Sequence, residues 1–184
     1  PFDTVILLSG LIDDLRKQTY ERMSDAVDGF ELAPDILPPH SSDLSTDDQV
    51  TLESVADRFR NPSSGGLVII VKKNCTVLAS LLAQIWGAGD LKGRRIIILD
   101  DESDHASVDY SQSPEYDRTQ NDIDDNPTLT NQRLREIIGR LSGSCDASWY
   151  IGYTATPFAN LLTPEARDEA GSQFGLSLCP RDFL

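Results

Sequence analysis

Cysteine, histidine and methionine are scarce in this chain. Among its 184 residues are three cysteines, two histidines and one methionine. Cys75, Cys145 and Cys179 are odd in number and lack the short spacings of metal ligands, so we expect reduced and mostly buried thiols. The sequence therefore gives no sign of a disulfide framework, and it is typical of a reducing compartment such as the cytoplasm.

Long apolar runs are absent as well. A membrane-spanning helix needs about 20 consecutive apolar residues, and the apolar runs here have only the length of strands. The sequence also lacks a basic stretch followed by an apolar core, which is the pattern of a signal peptide. We therefore expect a soluble chain without a membrane partner, long enough for one sizeable core.

Basic residues are few relative to acidic ones. The chain has 16 Lys and Arg against 30 Asp and Glu, which gives a formal net charge of -14. Binding to a phosphate backbone depends largely on clustered bases, so we do not expect the chain alone to hold nucleic acid. Arg16, Lys17, Lys72 and Lys73 follow predicted strand ends and could still form a local basic path.

The sequence also lacks a glycine-rich phosphate-binding loop. The P-loop needs the spacing Gly-x-x-x-x-Gly-Lys-Ser/Thr because its backbone amides surround the phosphates and its lysine reaches them. No stretch of the sequence has this spacing. We therefore expect that this chain by itself does not hydrolyse a nucleoside triphosphate.

The strongest functional signal is an apolar strand that ends in acidic residues. Residues 96–99 form the apolar run expected of a strand buried on both faces of a parallel sheet, and Asp101, Glu102 and Asp104 follow it. Open parallel sheets bind ligands at the carboxyl ends of their strands. Asp101 is thus a candidate for holding Mg²⁺ through water, and Glu102 for orienting an attacking water. The alternative is a plain strand that runs into a solvated acidic turn.

A second predicted strand passes through Trp149 and reaches Thr154 and Thr156. Alternate residues of a strand share a face, so the two hydroxyls are expected on the same side, and Pro157 ends the strand. Asp104 could bond a hydroxyl on this adjacent strand and so tie the metal site to the rest of the sheet.

Together the two stretches resemble motifs II and III of superfamily 2 helicases. In that superfamily the last Asp of motif II bonds the hydroxyls of motif III, which couples hydrolysis to domain movement. The resemblance implies that Asp104 pairs with Thr154 or Thr156.

More of the chain resembles the Z-one domain family, ATPases described as putative endonucleases of bacterial restriction and phage-defence systems. The matching blocks keep the family's order and span nearly the whole chain. They are residues 6–11 with 15–19, 71–74, 101–104 and 152–160. The resemblance implies ATP and Mg²⁺ as cofactors, DNA and a nuclease subunit or domain as partners, and a P-loop upstream of the first strand.

Nucleic-acid contacts are also implied near two strand ends. The turn after the first strand corresponds to motif Ia, which makes Arg16 and Gln18 candidate DNA contacts. Lys72, Lys73 and Asn74 are candidates after a later strand. From chemistry alone, Arg16 and Gln18 could simply be solvated, the lysines could instead meet the acidic turn, and Asn74 suits a helix cap.

Periodicity predicts the order strand, helix, helix, strand, helix, strand, helix, strand, with polar insertions at about 29–48 and 106–127. This alternation is typical of an α/β sandwich with a mainly parallel sheet. Thr130 is the predicted cap of the last helix. The resemblance makes residues 1–184 a partial first RecA-like domain of the P-loop NTPase class, from motif Ia to just beyond motif III, without its P-loop unit.

Two other functions compete with a DNA-dependent ATPase or translocase. A metal-dependent endonuclease site would use Asp100, Asp101, Glu102, Asp104 and His105, but a two-metal site draws its carboxylates from several elements and these lie in one turn. A non-catalytic interaction module is favoured by the missing P-loop and the acidity. We favour a motor that serves a separate nuclease.

Overall fold

The computed structural model describes residues 2–10, 12–38, 44, 49–103 and 127–154. Five strands and four helices alternate along this part of the chain. In order they are β1 (Thr4–Ser9), α1 (Asp13–Val27), β2 (Asp35–Leu37), α2 (Gln49–Arg60), β3 (Leu67–Lys72), α3 (Cys75–Ala88), β4 (Leu91–Asp101), α4 (Pro127–Ser144) and β5 (Cys145–Tyr153).

All five strands lie in one parallel sheet with the order β2-β3-β1-β4-β5. This confirms the predicted α/β class with a parallel sheet. One strand was not predicted, because β2 lies inside the segment interpreted as a polar insertion. Its three residues pair with β3, so the strand depends on a neighbour that is distant in sequence.

Both faces of the sheet carry apolar side chains, and alternate residues of each strand divide between them. Ile6 and Leu8 of β1 belong to the larger cluster, which also includes side chains of α2, α3 and α4. Leu7 belongs to the smaller cluster, which Tyr20 and Met23 of α1 join. Central strands with two buried faces explain the unbroken apolar runs in the sequence.

Helix starts were predicted with mixed success. Asn74 caps α3 as expected, because its side-chain oxygen accepts a hydrogen bond from the backbone N of Val77 at 2.8 Å. Thr130 does not cap α4, which begins three residues earlier at Pro127. Proline suits the first turn of a helix because its missing N–H has no partner there in any case.

The larger core should be sensitive to the loss of Phe59 on α2, whose side chain has no exposed surface. We expect Phe59→Ala to lower the free energy of unfolding by about 3–5 kcal/mol, because it removes apolar contacts and leaves a cavity. Urea unfolding measures this change. Phe30, which is 64% exposed, gives the matched control, and a Phe30→Ala variant that loses as much stability would contradict the assignment of the core.

Candidate functional site

The carboxyl ends of four strands meet at one edge of the sheet. Ser9 at the end of β1 pairs in register with Lys72 of β3, and Asp101 of β4 pairs with Tyr153 of β5. Asp101 is therefore the last residue of its strand, whereas the sequence analysis ended the strand with the apolar run 96–99 and placed Asp101 after it. The pairing with β5 extends the strand beyond its apolar run.

A buried ion pair lies directly beneath this edge. The Nζ atom of Lys73 is 3.0 Å from Oδ1 of Asp100, and neither side chain is more than 1% exposed. The hydroxyl of Tyr150 donates to Oδ2 of the same carboxylate at 2.5 Å. A buried charge is tolerated when it is paired and hydrogen-bonded, and Asp100 meets both conditions.

Lys73 also links the ends of three strands. Its Nζ donates to the backbone oxygen of Glu102, at 2.5 Å, and its backbone N donates to the backbone oxygen of Ser9, at 3.2 Å. Lys73 itself directly follows β3, whereas Ser9 ends β1 and Glu102 follows β4. The position of the acidic turn is thus fixed relative to the turn after β1.

Glu102 has an unusual backbone conformation. Its φ angle is 53°, in the left-handed region that residues with a Cβ rarely adopt. Its side chain is exposed, and the next residue, Ser103, is buried and donates its backbone N to the carbonyl of Tyr153 at 3.1 Å. Backbone strain of this kind persists only where the surroundings enforce it, and it is frequent at functional sites.

Two glycines make room for the acidic turn. A Cβ at Gly10 would lie 2.9 Å from Oε2 of Glu102, so that carboxylate packs against the turn between β1 and α1. A Cβ at Gly152 would lie 2.8 Å from the Cβ of Ser103. The turn is therefore enclosed on two sides by backbone that carries no side chain.

The close approach at Gly152 gives a testable prediction. Gly152→Ala should displace the turn at Ser103 and cost about 1–3 kcal/mol, because the added methyl group overpacks the contact. Faster hydrogen exchange at the Ser103 amide and a lower urea midpoint are the expected signs. The control is Gly139→Ala in α4, where an added Cβ meets nothing within 4 Å. Unchanged exchange in Gly152→Ala would show that the turn is not held there.

The Tyr153 hydroxyl lies near two carboxylates at this edge. Burial raises the pKa of the Tyr153 hydroxyl, and the charges of Asp101 and then Asp100 raise it further. Asp101 is half-buried and Glu102 exposed, and carboxylate oxygens are donors that Mg²⁺ accepts while keeping several waters. This chemistry fits a water-mediated ion at Asp101. Within the described residues, no cluster of three or more acidic, His or Cys side chains is placed to hold a metal directly.

The predicted coupling between the acidic turn and the last strand lies only partly within the described residues. Thr154 directly follows β5, which ends at Tyr153, so this hydroxyl lies beyond the strand and not within it as predicted. Asp104 and Thr156 lie outside the described residues, as does His105. Their pairing stays a prediction.

The candidate DNA contacts separate into buried and accessible residues. Arg16 is 1% exposed and its Nε lies 3.2 Å from Oδ1 of Asp13, so the expectation of a surface arginine is wrong. Lys73 is 1% exposed and paired with Asp100, which is the alternative that the sequence left open. Gln18 is exposed and Lys72 half-buried.

The sequence did not reveal the partner of Asp100. Tyr150 lies in the strand that was predicted through Trp149 and had no role of its own there. It packs against the larger core, where its hydroxyl requires a partner. The sequence offered one signal for this partner, namely a tyrosine that faces the core beside a strand ending in Asp.

Across the described ranges, no helix is both long and apolar enough to cross a membrane. Comparisons with known proteins gave no match to a family model, to a curated protein or to a solved structure.

Proposed function

We propose that this chain is part of a DNA-dependent ATPase or translocase of the superfamily 2 helicase type. In this proposal it belongs to a subunit of a bacterial restriction or phage-defence system and works with a nuclease. The observation that carries the proposal is the exposed Glu102, held in a left-handed turn at the carboxyl edge of a parallel sheet by buried Lys73. Backbone strain that buried partners maintain is frequent at functional sites, which supports the proposal.

Asp101 and Glu102 then have distinct tasks. Glu102 reaches solvent and would orient the water that attacks the terminal phosphate of ATP. Asp101, half-buried at the strand end, would hold Mg²⁺ through its water shell. When bound, the ion supplies positive charge against the phosphate oxygens.

The sheet order supports a phosphate-binding loop contributed by another segment or chain. Among the described strands none pairs with the outer edge of β5. Trp149, Ile151 and Tyr153 alternate along β5 on one face, and each is at least 45% exposed. Parallel sheets normally have both faces covered, so a strand and helix could add here. Their loop would then lie at the same edge as Asp101.

The test is a pair of assays on the intact protein that carries this chain. Phosphate release from ATP with Mg²⁺ is measured with and without DNA, and DNA strand cleavage is measured without any nucleotide. The proposal predicts ATP hydrolysis that DNA stimulates and no cleavage in the absence of a nuclease partner. Cleavage that needs only the metal would support the endonuclease alternative, and nucleotide binding without turnover would support an interaction module.

A further inference from the structure

The ammonium group of Lys73 contacts more than its buried counter-charge. It lies 3.0 Å from Oδ1 of Asp100 and donates to the backbone oxygen of Glu102 at 2.5 Å. The Asp100 carboxylate is itself held by the hydroxyl of Tyr150. One buried group therefore connects a fixed carboxylate to the backbone of the residue that faces solvent.

The conformation of Glu102 requires such a connection. With a φ of 53°, this backbone is unfavourable for any residue that has a Cβ. The carbonyl of Glu102 accepts from Lys73, and the following amide, of Ser103, donates to Tyr153. These two hydrogen bonds hold both polar groups of the peptide unit that follows the Cα of Glu102.

We propose that Lys73 is a positioning residue for Glu102. The proposal rests on the proposed function, because it states that Lys73 orients the catalytic Glu102 carboxylate although Lys73 itself touches no reacting atom. Loss of the ammonium group should release the turn and misplace the carboxylate. Turnover should then fall while nucleotide affinity stays nearly constant, since the phosphates are bound elsewhere.

The variant for the test is the double substitution Lys73→Met with Asp100→Asn in the intact protein. Lys73→Met alone would leave the Asp100 charge buried without a partner, whereas the double variant removes both charges and Asn can still accept from Tyr150. Lys92→Met is the matched control, because the Lys92 side chain is 85% exposed. Glu102→Gln, measured in parallel, reports on the proposed function itself.

Two measurements decide the proposal. In the double variant, kcat for DNA-stimulated ATP hydrolysis should fall by about 10²-fold while KM for ATP changes less than about threefold. Hydrogen exchange at the Ser103 amide should also accelerate at least about tenfold relative to the Ile6 amide in β1.

Each outcome bears separately on the two proposals. A double variant that keeps its kcat while Glu102→Gln loses turnover would overturn the role of Lys73 and leave the proposed function standing. A loss of kcat with an equal rise in KM would indicate a general disturbance of the active site, and it would also overturn the role of Lys73. If the wild-type protein does not hydrolyse ATP, the proposed function fails, and Ser103 exchange still tests the turn: acceleration upholds its support by Lys73, and no change overturns it.

Discussion

Replacing Glu102 with Gln in the intact protein should lower the rate of ATP hydrolysis by roughly 10²- to 10⁴-fold. Glutamine keeps the size of the side chain but removes the carboxylate that orients and polarises the attacking water. The side chain is exposed and Gln has the same shape as Glu, so the fold should not change. Fluorescent ATP analogues should bind with nearly unchanged affinity, because the substitution removes an interaction that is made in the transition state.

Glu31→Gln is the matched control for this variant. Glu31 is also exposed but lies in the turn after α1, away from the acidic turn. Its replacement should leave both nucleotide affinity and turnover unchanged. If Glu102→Gln keeps turnover within about twofold of the wild type, Glu102 does not orient the water and the assignment of this strand end is wrong.

The second large effect concerns stability and the buried ion pair. Lys73→Met should lower the free energy of unfolding by about 3–5 kcal/mol, because it removes the partner of the buried Asp100 carboxylate. Adding Asp100→Asn should recover most of this loss, since a neutral pair no longer carries an uncompensated charge. The two substitutions are therefore expected to be strongly non-additive.

Urea unfolding of the two single variants and the double variant forms the cycle that measures this coupling. Lys92→Met changes the same residue type at the surface and should shift the free energy of unfolding by less than about 0.5 kcal/mol. Additive effects of Lys73→Met and Asp100→Asn would mean that the two side chains do not form a pair in solution. The pair could then not support the acidic turn.

Features encoded by local sequence were predictable. The apolar runs of β1, β3 and β4 indicated buried parallel strands, and Asn74 indicated the start of α3. The strand β2 was missed because its three residues are stabilised by pairing with β3. Thr130 was chosen as a cap from its residue type, although Pro127 already provides a suitable start for the helix.

The candidate site likewise combines features that the local sequence encodes with features that depend on contacts distant in sequence. The acids after β4 were evident from their order in the sequence, since an apolar run leads directly into them. The burial of Lys73 was not evident, because a lysine after a strand is usually solvated, and only the register of β1, β3 and β4 brings it under the acidic turn. The left-handed backbone of Glu102 also depends on these distant contacts.

The DNA-dependent motor proposed for this chain is tested by the rate of Mg²⁺-dependent ATP hydrolysis by the intact protein, measured in one preparation before and after saturating DNA is added. We predict a low basal rate that rises at least about tenfold with DNA, as expected when nucleic acid and nucleotide are coupled. A folded protein that binds ATP but shows no hydrolysis under either condition would contradict the proposal that this sheet edge belongs to a DNA-dependent motor.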